Sequence, residues 1–288
     1  MPGERGAPAR PRAGGAGGSE RKRAVTVTHP VSDVVAVLGF GEAGALLARD
    51  LVAAGAAVRG YDPKVPAPAG VTPAGSDAEA VAGAGLVLSV NSAGDAVAAL
   101  EASVDALAPG AAWADLNTAA PAVKRRLAAL GAGRGIPVTD IAMMAPVPGN
   151  GLRVPMLASG EGAGGVARTL RGFGARVDVL AGPAGLAATR KLLRSVYYKG
   201  LSASVVEALE AARAAGLEDW LTGHIAEDLA QLDAATLARI VTGTRQHAVR
   251  RGHEMAAAAE MLADLGVAPV MAAASQHLHE RLAAESPG

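Results

Sequence analysis

Val34-Val35-Ala36-Val37-Leu38-Gly39-Phe40-Gly41-Glu42-Ala43-Gly44 decides the fold. Its first five residues are a short apolar run rich in β-branched side chains, which suits a strand buried on both faces. Ala45 to Ala54 then reads as a helix stopped by Gly55, and Ala57-Val58-Arg59-Gly60-Tyr61 as a second strand with Asp62 at its carboxyl end. A lone G-x-G-x-x-G is weak evidence. One that leaves a strand, opens a helix and precedes an acid 23 residues on specifies a dinucleotide site.

Each part of that unit has a physical task. Gly39 makes the tight turn, Gly41 leaves room for a pyrophosphate, and Gly44 brings the helix close to the sheet. The helix N-terminus points free N–H groups and partial positive charge at the phosphates. Phe40, Glu42 and Ala43 complete the loop. Asp62 can accept hydrogen bonds from the adenosine ribose and would repel a 2′-phosphate, so NAD is the expected cofactor and NADP the alternative.

The 288 residues are enough for two domains. Lys plus Arg and Asp plus Glu are 27 each, so no broad attraction to nucleic acid or to an anionic membrane is expected. Cysteine is absent, which excludes disulfides and thiolate chemistry. No apolar run approaches the roughly 20 residues of a membrane span, and the N-terminus lacks a secretory core, so the expected compartment is the cytoplasm. Residues 1–31, rich in Gly, Pro, Ala and Arg, read as a disordered tail.

Strand and helix alternate from there to residue 183. Helices are expected at Ser76–Ala82, at Asp95–Leu107, from Pro121 and from Glu161. Strands are expected at Leu86–Val90, Ala112–Leu116, Val138–Ile141, Met156–Ala158 and Arg176–Leu180. The fold class is therefore α/β, a Rossmann-type, mostly parallel doubly wound sheet over residues 32–183. Ligands bind at the carboxyl ends of such strands, which singles out Asn91-Ser92, Asn117-Thr118 and the loop after Asp140. Polar residues also stand at strand ends simply as helix caps.

From residue 184 to 288 strand signals vanish. Ala184 to Ala215 reads as one long helix, apolar nearly all round and so expected to be buried on several sides. Helices follow at Leu217–Leu221, Ile225–Leu232, Ala234–Thr242, Arg245–Asp264 and Val267–Ala284, an all-α domain. Lys191, Ser195 and Lys199 are four apart and share a face of the long helix. A lysine on such a helix is either an acid/base group with a lowered pKa or one that snorkels to water. Thr244, His247, Arg251 and Glu254 form a second stripe, read either as an anion receptor or as a solvated or subunit-contact face. His247 and the flanking His253 are not at the i, i+4 spacing of helical metal ligands, so no metal is expected.

With these residues in view, the chain from Val34 on resembles the β-hydroxyacid dehydrogenase and 6-phosphogluconate dehydrogenase superfamily. It is most similar there to a branch whose C-terminal domain is of unknown function. The resemblance rests on GFGEAG, on DLNTAAP from Asp115, on DIAMMAPVPGNG from Asp140 and on RKLLRSVYYKG from Arg190. It implies that Asn91-Ser92 and Asn117-Thr118 line the nicotinamide side and that Met144 to Asn150 is the substrate loop. It also implies that Lys191 is the catalytic lysine. The chain departs from the pattern at Ser195, where an asparagine is usual, and at Pro148-Gly149-Asn150, where Ser-Gly-Gly is usual.

Asp140 to Ala145 with Ser159-Gly160 also resembles the signature of imine reductases. Against that activity stand Lys191, which imine reductases replace by Asp or Tyr, and Asp62, which disfavours NADPH. The expected protein is an NAD(P)-dependent dehydrogenase acting on a small, anionic hydroxy acid, with an imine reductase or a non-catalytic NAD(H)-binding protein as the alternatives. Lys191 and Ser195 are its candidate catalytic residues, and Met144, Pro148, Gly149, Asn150, Lys199, His247 and Arg251 its candidate substrate contacts. A homodimer through the helical domain is the expected assembly.

Overall fold

Residues 34–285 are described by the structure, a computed structural model; the expected tail at 1–31 lies outside the described residues. Val34–Leu38 (β1) is the hub of the sheet, with four of its five residues buried. It pairs in parallel with Ala57–Tyr61 (β2) on one side and Leu86–Ser89 (β4) on the other. Beyond β2 lies Thr72–Pro73 (β3), too short to show in the hydrophobic pattern. Beyond β4 come Ala112–Asp115 (β5), Val138–Met143 (β6), Met156–Ser159 (β7) and Val177–Val179 (β8). The resulting order is β3-β2-β1-β4-β5-β6-β7-β8, parallel throughout except for the antiparallel β6–β7 pair.

Helices cover both faces, as parallel strands require. Glu42–Ala53 (α1) buries Leu47, Ala48 and Leu51 against Val35, Val37 and Leu88. Ala163–Gly172 (α5) packs on the same cluster through Val166 and Leu170. The opposite face takes Asp77–Val81 (α2), Ala96–Ser103 (α3) and Pro121–Ala132 (α4), around Leu38, Val87, Trp113 and Leu127. The reversal of connection between β1 and β4 leaves a crevice at the carboxyl ends of the strands.

The remaining helices are Leu186–Ala214 (α6), Glu218–Ala230 (α7), Ala234–Gln246 (α8), Ala248–Asp264 (α9) and Val270–Glu285 (α10). Glu207 of α6 caps α10 by accepting the Met271 and Ala272 N–H groups at 2.6 and 2.8 Å. No helix of the described residues is long and apolar enough to cross a membrane.

Three expectations for this region are corrected. Leu217–Leu221 and Ile225–Leu232 are one helix, α7, because Gly223 weakens a helix by only about 1 kcal/mol and does not end it. The stripe from Thr244 to Glu254 is not one helix face. His247 has φ −114° and ψ 25° and separates α8 from α9. Finally, α6 is not buried on several sides within one chain. Its buried residues are Ala187, Ala188, Ala211 and Ala212, at its two ends, while Leu193, Val196, Tyr197 and Tyr198 in between are exposed.

Candidate active site

The turn after β1 is built for close approach. Gly39 has φ +97°, and a Cβ there would stand 2.7 Å from both the Val90 carbonyl oxygen and the Asn91 nitrogen. A Cβ on Gly44 would stand 2.0 Å from the Gly39 carbonyl oxygen, so α1 begins in direct contact with the turn. At Gly41 a Cβ would meet nothing within 4 Å, and no side chain caps the helix start there. That open, uncapped N-terminus is the cradle a pyrophosphate needs. The residues present fit a dinucleotide.

Asp62 organises the same turn. Its Oδ2 accepts the Phe40 N–H at 2.7 Å, and its Oδ1 accepts the Lys64 and Val65 N–H groups at 2.8 and 2.9 Å. Burial alone would raise this carboxyl. The hydrogen bonds from Phe40, Lys64 and Val65 and the charge of Lys64 outweigh it and hold Asp62 below the usual carboxylate range. A cavity of about 480 Å³ opens here, lined among others by Gly39, Gly41, Asp62, Asn91 and Ser92. Phe40 is buried beneath the turn, whereas Glu42 is exposed and Ala43 partly so.

Two further carboxylates line that cavity and were not singled out in the sequence: Asp77, which opens α2, and Asp95, which accepts the Ser92 hydroxyl at 2.6 Å. Burial and then the charge of Asp62 push the Asp77 carboxyl up. Among the described residues, Lys64 is the one cation of the cavity wall. Arg59 of β2 turns away, giving its guanidinium to the Ala80 and Ala82 carbonyls at the end of α2.

From the cavity a run of amides leads to the lysine. The Asn117 Nδ2 group donates to Asp115 Oδ1, Asn91 Oδ1 and Ser89 Oγ at 2.6, 2.9 and 3.1 Å, tying the ends of β4 and β5 together. Next to it, the Thr118 hydroxyl accepts from Lys191 Nζ at 2.8 Å. Asn117, Thr118, Asp140, Ala142, Ala188 and Lys191 surround a small crevice. Burial, then the charges of Lys124 and Lys199, lower the Lys191 amine below the ordinary lysine value, with Asp140 opposing. The arrangement can pass a proton at Nζ beside the end of the dinucleotide cavity.

Other expected residues are less closely gathered. Met144 is partly exposed and donates its N–H to the Pro155 carbonyl at 2.8 Å. Pro148, Gly149 and Asn150 are exposed, and Asn150 uses its amide on the Pro146 carbonyl at 2.9 Å. Asp50 of α1 pins the end of this loop by accepting the Leu152 N–H at 2.7 Å. Ser195 is partly buried one turn beyond Lys191, outside the crevice lining, and Lys199 is exposed. His247 lines a separate cavity with Arg245 and Arg250, while Arg251 gives its guanidinium to Thr244 Oγ1 at 2.7 Å. One chain does not bring that stripe to Lys191.

Sequence reasoning also missed the charges under the crevice. Lys124 of α4 places Nζ 2.5 Å from Asp115 Oδ2 and 3.2 Å from Asp140 Oδ1, and all three residues are buried. A signal was present: Lys124, Leu127 and Gly131 recur at helical spacing on the inner face of α4.

Residues 34–152 match the model of the NAD binding domain of 6-phosphogluconate dehydrogenase, and residues 212–282 match a domain of unknown function, DUF1932. A search of the curated proteins gives no match. Among solved structures, a conserved hypothetical protein from Sinorhizobium meliloti is similar at 28% identity. The match covers 88% of this chain and 91% of that one, with a TM-score of 0.56. The conserved protein MTH1747, of unknown function and described as structurally similar to 3-hydroxyacid dehydrogenases, is 26% identical over 86% of this chain and 96% of that one, with a TM-score of 0.56. A reductive aminase from Aspergillus terreus in complex with NADPH shares the fold at 20% identity, over 88% and 94% of the two chains, with a TM-score of 0.71. Two family models thus match successive parts of the chain, the NAD binding domain of 6-phosphogluconate dehydrogenase and then DUF1932.

Proposed function

We propose that the protein is an NAD-dependent dehydrogenase that interconverts a small hydroxy acid, of the β-hydroxy acid or sugar acid type, and its oxo product. The observation that carries this reading is the Lys191 amine, bonded at 2.8 Å to Thr118 beside the Asn117–Asn91 edge of the dinucleotide cavity. NAD(H), when bound, supplies the two-electron acceptor or donor. Lys191 takes the hydroxyl proton in oxidation and returns it in reduction, and Thr118 aims the amine. Ser195 and the loop from Met144 to Asn150 orient the substrate on this reading. On this reading residues 34–183 form the nucleotide domain and 184–285 the substrate and dimerisation domain.

NAD is preferred over NADP because, among the described residues, Asp62, Asp77 and Asp95 share the cavity wall with a single lysine, Lys64. An added 2′-phosphate would enter a wall of net negative charge. The test is coenzyme reduction over a panel of β-hydroxy acids and sugar acids, run beside NADPH oxidation with cyclic imines. Turnover of a hydroxy acid is expected with NAD⁺ favoured by at least about tenfold, and Asp62→Ser with Asp77→Asn should narrow that gap by about tenfold. Turnover confined to imines would defeat the hydroxy acid reading. NADH binding with no turnover at all would reduce the protein to a nucleotide-binding one. The cytoplasm, where NAD(H) is at hand, is the compartment this chemistry suits.

The assembly is a homodimer through the helical region. Support comes from α7 and α8, which bury no residue within the chain, and from Val196 at 77% exposure, Trp220 and Leu237. Helices without a buried face draw little stability from their own propensity and need a covering surface. A second copy also offers His247 and Arg251 a route to the substrate anion that one chain lacks. Sedimentation at micromolar concentration should give twice the chain mass, and Val196→Glu should shift it toward the monomer with loss of helical signal. A well-folded monomer in the unaltered protein would overturn this.

A further inference from the structure

Lys124 is the one lysine or arginine among the buried described residues, at 1% exposure, and the chemistry proposed above does not use it. Two carboxylates at 0% exposure hold it, and its ammonium also donates to the Asp115 carbonyl at 3.0 Å. Such a group of buried charges is a poor way to gain stability, since well-packed apolar residues often do as well. Its placement calls for another reason.

The contacts close into a ring. From Lys124 the path runs to Asp140, whose Oδ2 accepts the Gly185 and Ala188 N–H groups at 3.0 and 2.9 Å and so anchors the first turn of α6. Three residues along that helix, Lys191 reaches Thr118. Thr118 adjoins Asn117, which donates to Asp115 Oδ1, and the other oxygen of Asp115 returns to Lys124. Lys124 thus links the end of β5, which it touches at Asp115, to the start of the bridging helix, which it reaches through Asp140.

We infer that Lys124 is a positioning residue, which holds the Asp115–Thr118 segment against the first turn of α6 and so fixes the Lys191 amine relative to the Asn117 edge of the cofactor cavity. The inference rests on the roles proposed for Lys191 and for Asn117-Thr118. Groups facing the amine are Lys124 from α4, Asp140 from β6, Lys199 from its own helix and the Thr118 hydroxyl.

The chain has five lysines, so ¹⁵N,¹³C-lysine labelling can follow each side chain through a pH titration, with Lys191 assigned by Lys191→Arg. The midpoint of Lys191 should rise by about half a unit or more in Lys124→Met, where a facing positive charge is lost. NADH affinity, read by fluorescence on the folded variant in the cold, should fall by about tenfold or more. Lys124→Arg should recover part of both. A lowered Tm with an unmoved Lys191 midpoint and unchanged NADH affinity would show a merely structural role and overturn the inference. Should Lys124→Met not fold, Asp115→Asn opens the β5 arm of the ring while Lys124 keeps Asp140. NADH affinity must then fall similarly, and an unchanged value overturns the inference as well. Failure of the unaltered protein to bind NADH would defeat the function proposed above, and the Lys191 titration would then decide the role of Lys124 by itself.

Discussion

Lys191→Ala is expected to lower kcat by roughly 10²–10⁴-fold while leaving NADH affinity within about twofold, the pattern for loss of a group that acts on a proton in the transition state. That corresponds to about 3–5 kcal/mol of barrier. The amine reaches Thr118 rather than the dinucleotide cavity wall, so its removal should leave the glycine turn and Asp62 undisturbed. The pH profile carries the sign. Burial and the charges of Lys124 and Lys199 lower the Lys191 pKa, so the neutral amine appears at a lower pH than for a free lysine. Oxidation needs that neutral base, and its rate should climb as pH rises through the lowered pKa. Reduction needs the ammonium, and its rate should fall over the same interval. Both limbs should vanish in Lys191→Ala. If Lys199→Ala is the variant that abolishes turnover, the acid/base group lies two turns further along α6.

The nucleotide unit was legible because local physics fixes it. A strand buried on both faces needs an apolar run, a turn against neighbouring backbone needs Gly39, and a helix packed onto that turn needs Gly44; each requirement falls on consecutive residues. The second tier of the site was not legible for the converse reason. Lys124, Asp115 and Asp140 meet only once α4, β5 and β6 are assembled. Asp77 faces the cavity because α2 packs back beside β2, and no periodicity encodes that. The break at His247 escaped notice since neither glycine nor proline marks it, and polar residues continue at helical offsets across it. For α6 the pattern read as burial on several sides, while a single chain leaves its middle exposed. An apolar surface records that something covers it. It does not record whether that something belongs to the same chain.

Gly44→Ala should cost the nucleotide domain heavily for one added methyl group. The added Cβ would sit 2.0 Å from the Gly39 carbonyl oxygen and 3.0 Å from the Gly39 carbonyl carbon, both backbone atoms that cannot rotate aside. Relief requires α1 to lift from the turn or the turn to shift. Movement of the turn is opposed by the Asp62 bond to Phe40 N–H and by the Gly39 N–H bond to the Tyr61 carbonyl at 2.9 Å. Lifting α1 would loosen Leu47 and Leu51 from the core and drag Asp50 from the Leu152 N–H, so the disturbance reaches the candidate substrate loop. Forced overpacking of this kind typically costs about 1–3 kcal/mol of stability. The cofactor should feel it more sharply, since the helix N-terminus and the turn must present their N–H groups to one pyrophosphate together. NADH affinity by fluorescence titration is expected to fall by about 100-fold, or about 2.7 kcal/mol. Gly41→Ala is the internal control: its Cβ meets no protein atom within 4 Å, so the fold should keep its Tm and only nucleotide binding should weaken. A Gly41→Ala variant that binds NADH as the unaltered protein does would show that the open space before α1 is not where a pyrophosphate lies.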